Sequence, residues 1–186
     1  MPRISDSKIL IVATHGFEQS ELEVPRDQLR DRGASVHVVS LDGETIKGWD
    51  GDDWGHTVPV DGGISDVNPG DYDALVLPGG QINPDILRVN DKVMTAVNAF
   101  FDQGKTIAAI CHAPWILVEA GILKGRQATS YKSIATDVKN AGAHWVDQTV
   151  VADNGIVTSR NPGDLDAFVS KIVEEIEEGK HERKAA

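Results

Sequence analysis

The chain has 186 residues, 40% of them hydrophobic and 25% charged, which suits a globular protein with its own core and argues against a disordered one. The formal net charge of −11 argues against a nucleic-acid or anionic-membrane partner, since both require lysine and arginine fields. A single cysteine excludes an internal disulfide and fits a reducing compartment.

The N-terminal "MPRISDSK" is polar, and the apolar run after it is too short for a signal segment or a membrane span. A soluble, cytoplasmic protein is expected. "KILIVA" (Lys8 to Ala13) is apolar and rich in β-branched residues, so it reads as a buried strand. A helix is expected next, with Leu22, Pro25 and Leu29 near helical spacing and Gly33 as its stop. "SVHVVSL" (Ser35 to Leu41) is a second strand, and this β-α-β spacing predicts a parallel sheet.

Asp42 to Pro69 is irregular, with short edge strands expected around "TIKGW" and "HTVPVD". "DALVLP" (Asp73 to Pro78) is a third buried strand, stopped by Pro78-Gly79-Gly80. A helix over Asp91 to Gln103 turns Val93, Val97, Phe100 and Phe101 inward. "KTIAAI" (Lys105 to Ile110) is a fourth strand, with a helix from Ala113 to Ala120 after it. A further helix covers Thr136 to Asn140, and "DNG" predicts a hairpin between two β-rich runs. The last helix is amphipathic, with Asp164 as its expected N-cap, and the tail frays from about Gly179. No repeat or linker interrupts the chain, so one domain over residues 1–186 is expected. The expected fold is an α/β sandwich with a mostly parallel, doubly wound sheet, whose ligand sites lie at the carboxyl ends of the strands.

Cys111 lies at such an end, in "AAICHAPWILVEAG". A residue held in a tight strand-to-helix turn needs small neighbours two positions either side, and here they are Ala109 and Ala113. The following helix, with Pro114 in its first turn, is expected to favour thiolate over thiol. The His112 N–H, and a second N–H from the Gly79-Gly80 pair, would serve an oxyanion. A lone cysteine is more often an inert core thiol, but the strand-Cys-His-small-Pro context favours a nucleophile.

His112 is the candidate base, although as a neighbour on a turn it need not face the thiol. Glu18 and Glu21 share a helix face after the first strand. Either would need a raised pKa to stay protonated and bond to a thiolate, and plain helix-start acidity explains them equally well. His15 lies in the same loop and is a candidate pocket residue. "WDGDDWGH" fails the calcium-loop pattern, with Trp54 at its fifth position and Asp61 at its twelfth. The other histidines lack metal-ligand spacing, and G-x-G-x-x-G is absent, so neither metal nor nucleotide cofactor is expected.

These motifs, in this order across nearly the whole chain, resemble the PfpI-type members of the superfamily that includes the Parkinsonism-associated protein deglycase and the class I glutamine amidotransferase domains. The matching stretches include "ATHGFEQSELE", "DALVLPGGQINPD", "AAICHAPW" and "ATSYKS". The resemblance implies a flavodoxin-like three-layer sandwich with a nucleophile elbow at Cys111 and His112 as catalytic histidine. It implies that Glu21 touches the cysteine, with Glu18 the other acid of that motif. It also implies that Tyr131 lines the pocket and that Asp85 orients the histidine from the neighbouring subunit of a homodimer or a larger assembly. One departure is Ala113, where the common form has glycine, adding a methyl near the elbow; another is a "GGQINPD" segment one residue longer than in some members.

Three functions follow from the resemblance. The first is a cofactor-free thiol enzyme acting on methylglyoxal, glyoxal or their adducts on proteins, of the glyoxalase or deglycase kind. The second is an intracellular cysteine peptidase. The third is a non-enzymatic redox sensor or holdase, based on an easily oxidised thiol.

Overall fold

The computed structural model describes residues 1–183. In chain order the elements are β1 (Lys8–Val12), α1 (Gln19–Asp31), β2 (Ser35–Ser40), β3 (Ile46–Asp50), β4 (Asp53–Val58) and β5 (Gly62–Gly63). Then come β6 (Ala74–Leu77), α2 (Ile82–Leu87), α3 (Asp91–Asp102), β7 (Thr106–Ile110), α4 (Pro114–Glu119) and β8 (Gln127–Ala128). The last are α5 (Ala135–Asn140), β9 (His144–Trp145), β10 (Val150–Asp153), β11 (Ile156–Ser159) and α6 (Leu165–Glu178).

The main sheet runs β10-β11-β7-β6-β1-β2-β5, and only the edge strand β10 is antiparallel. β1 is central because four of its five residues are buried, and alternate side chains serve opposite faces. Leu10 and Val12 join Val93, Phe100 and Leu117 under α3 and α4. Ile9 and Ile11 join Leu22, Leu29, Phe168 and Ile172 under α1 and α6. Two apolar cores on one sheet make the three-layer, flavodoxin-like sandwich expected from the sequence. Strand order reverses between β1 and β6, and the crevice at the carboxyl ends there is where such folds bind ligands.

The "DNG" turn closes the β10–β11 hairpin, with Asn154 and Gly155 both at positive φ, 52° and 78°. Ile82–Leu87, where no element was expected, forms α2. Three local expectations are corrected. The strands expected around "TIKGW" and "HTVPVD" form, as β3 and β4, but they pair with each other in a separate hairpin rather than at the edge of the main sheet. Asp164 precedes α6 without capping it, because its carboxylate is taken by Arg160 at 2.9 and 3.0 Å. The tail does not fray up to Arg183, whose guanidinium donates to the carbonyls of Phe101, Lys105 and Asn154, while residues 184–186 lie outside the described residues. Among the described residues, no helix is long and apolar enough to cross a membrane.

Candidate active site

Cys111 follows the last residue of β7 and is held at φ 64°, a left-handed conformation that a side chain with a β-carbon rarely adopts. Its N–H donates to Ser159 O at 3.0 Å, and its carbonyl accepts the Tyr131 N–H at 2.8 Å. The turn is over-determined by neighbours on both sides, which is how a strained nucleophile elbow persists. Gly79 must be glycine: a β-carbon there would lie 2.6 Å from the Cys111 β-carbon and 2.7 Å from the Ile110 oxygen. Gly80 turns at φ 82° against the backbone of Gly16 and Glu18.

Asn83 of α2 ties these loops together. Fully buried, it accepts the Thr14 N–H at 2.7 Å and donates to the carbonyls of Pro78 and Gly79 at 2.9 and 3.2 Å. One side chain thus clamps the carboxyl ends of β1 and β6 together. Asn83→Ala leaves those groups unsatisfied and is expected to cost about 2–4 kcal/mol of stability. Urea unfolding measures it, and an unchanged midpoint would refute the clamp.

The Cys111 sulfur lies 3.1 Å from His112 Nδ1, so the adjacent histidine does face the thiol. His112 Nε2 lies 3.1 Å from Ser133 Oγ. The ring stacks on Tyr131 at 4.6 Å between centroids, and burial lowers its pKa, which keeps it neutral at neutral pH.

Glu21, on the first turn of α1, has no solvent exposure. Its Oε2 accepts the Gly79 N–H at 2.9 Å, and its Oε1 is buried without a hydrogen-bond partner. Burial first, then the charge of Glu18, pushes its pKa up to about 8, against the pull of the Gly79 N–H. At neutral pH this carboxyl therefore keeps its proton beside the thiol.

The thiol itself is pushed well above the usual range, by burial first and then by the Glu21 charge, while the N–H groups of Gly80 and His112 pull it down. This corrects the expectation of a thiolate stabilised by the helix. α4 is only six residues long, and it is outweighed by desolvation of a sulfur in a residue 5% exposed. Once Glu21 is protonated its repulsion disappears and its proton faces the sulfur. The pair therefore shares protons rather than titrating as two independent groups.

Other placements differ from the sequence reading. The Gly79 N–H is spent on Glu21, so the backbone donors at the sulfur are Gly80 and His112. Ala113 is fully buried in the core under α3 and α4 and is not among the residues that line the cavity. His15 accepts the Lys47 N–H through Nδ1 at 3.0 Å and lines a neighbouring open hollow with Lys47 and Trp54, not the cysteine cavity. Asp85 lies exposed on α2, paired with Arg88 at 2.7 Å. The fold of one chain does not bring it to His112, whose outer nitrogen meets Ser133 instead.

The cavity of about 560 Å³ around Cys111 is walled by Glu18, Glu21, Trp49, His112 and Tyr131. Trp49, Ser133 and Asn83 were not legible as site residues. Trp49 arrives on the β3–β4 hairpin, pinned by its N–H to Phe17 O at 2.7 Å and by the Gly51 N–H to Glu18 Oε1 at 3.3 Å. No spacing in the sequence announces that contact.

Comparison with known proteins agrees with this geometry. The chain is 45% identical over 166 residues to Deglycase TK1284 of Thermococcus kodakarensis, covering 89% of this chain and 97% of that one. It is 43% identical over 163 residues to Protein/nucleic acid deglycase 2 of Escherichia coli, covering 87% and 92%. The crystal structure of Drosophila melanogaster DJ-1beta superposes with a TM-score of 0.83 at 31% identity, over 92% of this chain and 94% of that one. A model of the DJ-1/PfpI family matches residues 7–175, the stretch that carries the elbow, both acids and the Gly-Gly turn. The chain belongs to the DJ-1/PfpI family.

Proposed function

We propose that the protein is a cofactor-free, cysteine-dependent enzyme that converts methylglyoxal, and its adducts on amines and thiols, to lactate. The carrying observation is the thiol set between a neutral histidine at 3.1 Å and a carboxyl that holds its proton to about pH 8. That pairing suits proton transfer to and from two adjacent carbons. The deglycase names of the relatives support it.

The steps balance without an external oxidant. Sγ attacks the aldehyde carbon as its proton passes to His112 Nδ1, which returns it to the new alkoxide. On an aminocarbinol Sγ displaces the amine from that same carbon, and the thiol proton, carried by His112, leaves with the amine. Neutral His112 then removes the proton from that carbon while Glu21 gives its proton to the neighbouring carbonyl oxygen, forming an enediol on sulfur. His112 reprotonates the second carbon, and Glu21 recovers a proton from the first hydroxyl. The first carbon is now a thioester and the second an alcohol, an internal oxidation and reduction. Water activated by His112 releases lactate. The N–H groups of Gly80 and His112 point at the sulfur and so lie beside the carbon it attacks, where they can receive the oxyanion that forms on that carbon's oxygen.

The cavity weighs against the peptidase reading: among the described residues the outer nitrogen of His112 meets the Ser133 hydroxyl rather than an orienting carboxylate. A thiol pushed up and 5% exposed weighs against the redox-sensor reading, which needs an accessible thiolate. The test is lactate formation from methylglyoxal without cofactor, wild type beside Cys111→Ala.

A further inference from the structure

The side chains that give the cavity its charge are all acidic. Glu18 and Glu21 line it, His112 is neutral, and no lysine or arginine is among its described lining residues. Glu21 holds its proton, which leaves Glu18, half-buried, with its pKa raised by burial and held down by the Gly51 N–H, as the second acid lining the cavity. The hairpin tip above it carries Asp50, Asp52 and Asp53, all exposed. The nearest hairpin cation, Lys47, lies over the Trp54 ring at 5.8 Å and lines the outer hollow. Arg160, close to Pro162 in sequence, is tied to Asp147 and Asp164. Trp49 is bridged to Glu18 backbone to backbone, and both side chains reach Gly51: the indole N–H donates to its carbonyl at 2.8 Å, and its N–H donates to Glu18 Oε1 at 3.3 Å. A carboxylate next to an indole is a common recognition pair for guanidinium and ammonium groups.

Building on the carbonyl reading above, we infer that Glu18 and Trp49 form a specificity wall that selects adducts whose leaving side is cationic over those whose leaving side is anionic. The same wall repels the lactate anion and so speeds its release. Unit charges within several ångströms in a half-enclosed cavity change affinity by about ten-fold.

Three hemithioacetals of methylglyoxal that differ in charge test this: those of thiocholine (cationic), mercaptoethanol (neutral) and mercaptopropionate (anionic). Wild type should turn over the cationic adduct with a kcat/KM about ten-fold above that of the anionic one, and the gap should shrink in about 0.5 M salt. Glu18→Gln keeps an oxygen for the Gly51 N–H and removes the charge, so the gap should fall to within about two-fold. The readout is the ratio, which a general loss of activity does not move. Equal rates for the three adducts in wild type, or an unchanged ratio in Glu18→Gln, would overturn the inference.

Failure of the carbonyl reading appears separately, as no turnover of the neutral adduct. In that case charge selection is read on Cys111→Ala by ligand-observed NMR with tetramethylammonium and lactate. Binding of the cation but not the anion, lost in the additional presence of Glu18→Gln, supports the wall; equal binding of both ions overturns it.

Discussion

Cys111→Ala lowers cofactor-free lactate formation from methylglyoxal by at least about 10³-fold, and Cys111→Ser does nearly the same. The alanine variant has no atom to form the hemithioacetal. The serine hydroxyl keeps the geometry, but it ionises far less readily than the thiol and makes a poorer leaving group when water cleaves the acyl intermediate. The side chain is small, 5% exposed and packed at the edge of the core under α1 and α6, so neither variant should unfold the chain. Retained thermal unfolding with lost turnover, measured on the same preparations, isolates the chemistry. If wild type itself makes no lactate, the carbonyl reading fails. The search then moves to peptides and to peroxide, where stoichiometric oxidation of Cys111 without turnover would indicate a redox role.

Glu21→Gln is expected to produce a protein that is more stable and nearly inactive. The carboxyl titrates at 4.5 when unperturbed and at about 8 in the fold, so between those values the folded chain binds a proton that the unfolded chain has released. The sign follows: the carboxyl costs nothing below pH 4.5, its penalty grows as pH rises, and it is complete above about 8. A shift from 4.5 to about 8 corresponds to a penalty of at most about 5 kcal/mol. Glutamine removes that penalty. Its carbonyl can still accept the Gly79 N–H, and its NH₂ takes the place of the unpartnered Oε1.

The difference in unfolding free energy between variant and wild type should therefore be small at pH 4 and grow to several kcal/mol by pH 9. Glu175 is also raised by burial, but it is common to both proteins and cancels in the difference, whereas the repulsion between Glu18 and Glu21 is part of what the variant removes. The amide cannot pass a proton, so kcat should fall by about 10²–10³-fold. A flat difference curve would mean that Glu21 is ionised in the folded chain, and the proton-transfer scheme would lose its acid. An active site that keeps a destabilising group for its chemistry shows the usual trade between stability and activity.

The sequence by itself determined the features set by local pattern. Runs such as "KILIVA", "DALVLP" and "KTIAAI" read as buried strands, and alternating them with amphipathic helices predicts a parallel sheet with its ligand edge at the strand ends, as the fold has it. The elbow at Cys111 was legible because a tight turn restricts residues two positions away, and the "DNG" hairpin because a two-residue turn needs positive φ. The resemblance to a known family added Glu21, which stands against Cys111 in the fold.

Tertiary structure alone decided what depends on distance across the chain and on burial. Ser133, not Asp85, meets His112 within one chain, because the loop after β8 passes over the elbow while α2 turns Asp85 to Arg88. Trp49 became a wall of the site through backbone bonds between a hairpin and the β1 loop, which leave no mark on either segment's composition. The protonation of Glu21 and the raised thiol were hidden for the same reason: desolvation is a property of the surroundings, and those surroundings are assembled from β1, β6 and β7 only when the sheet closes.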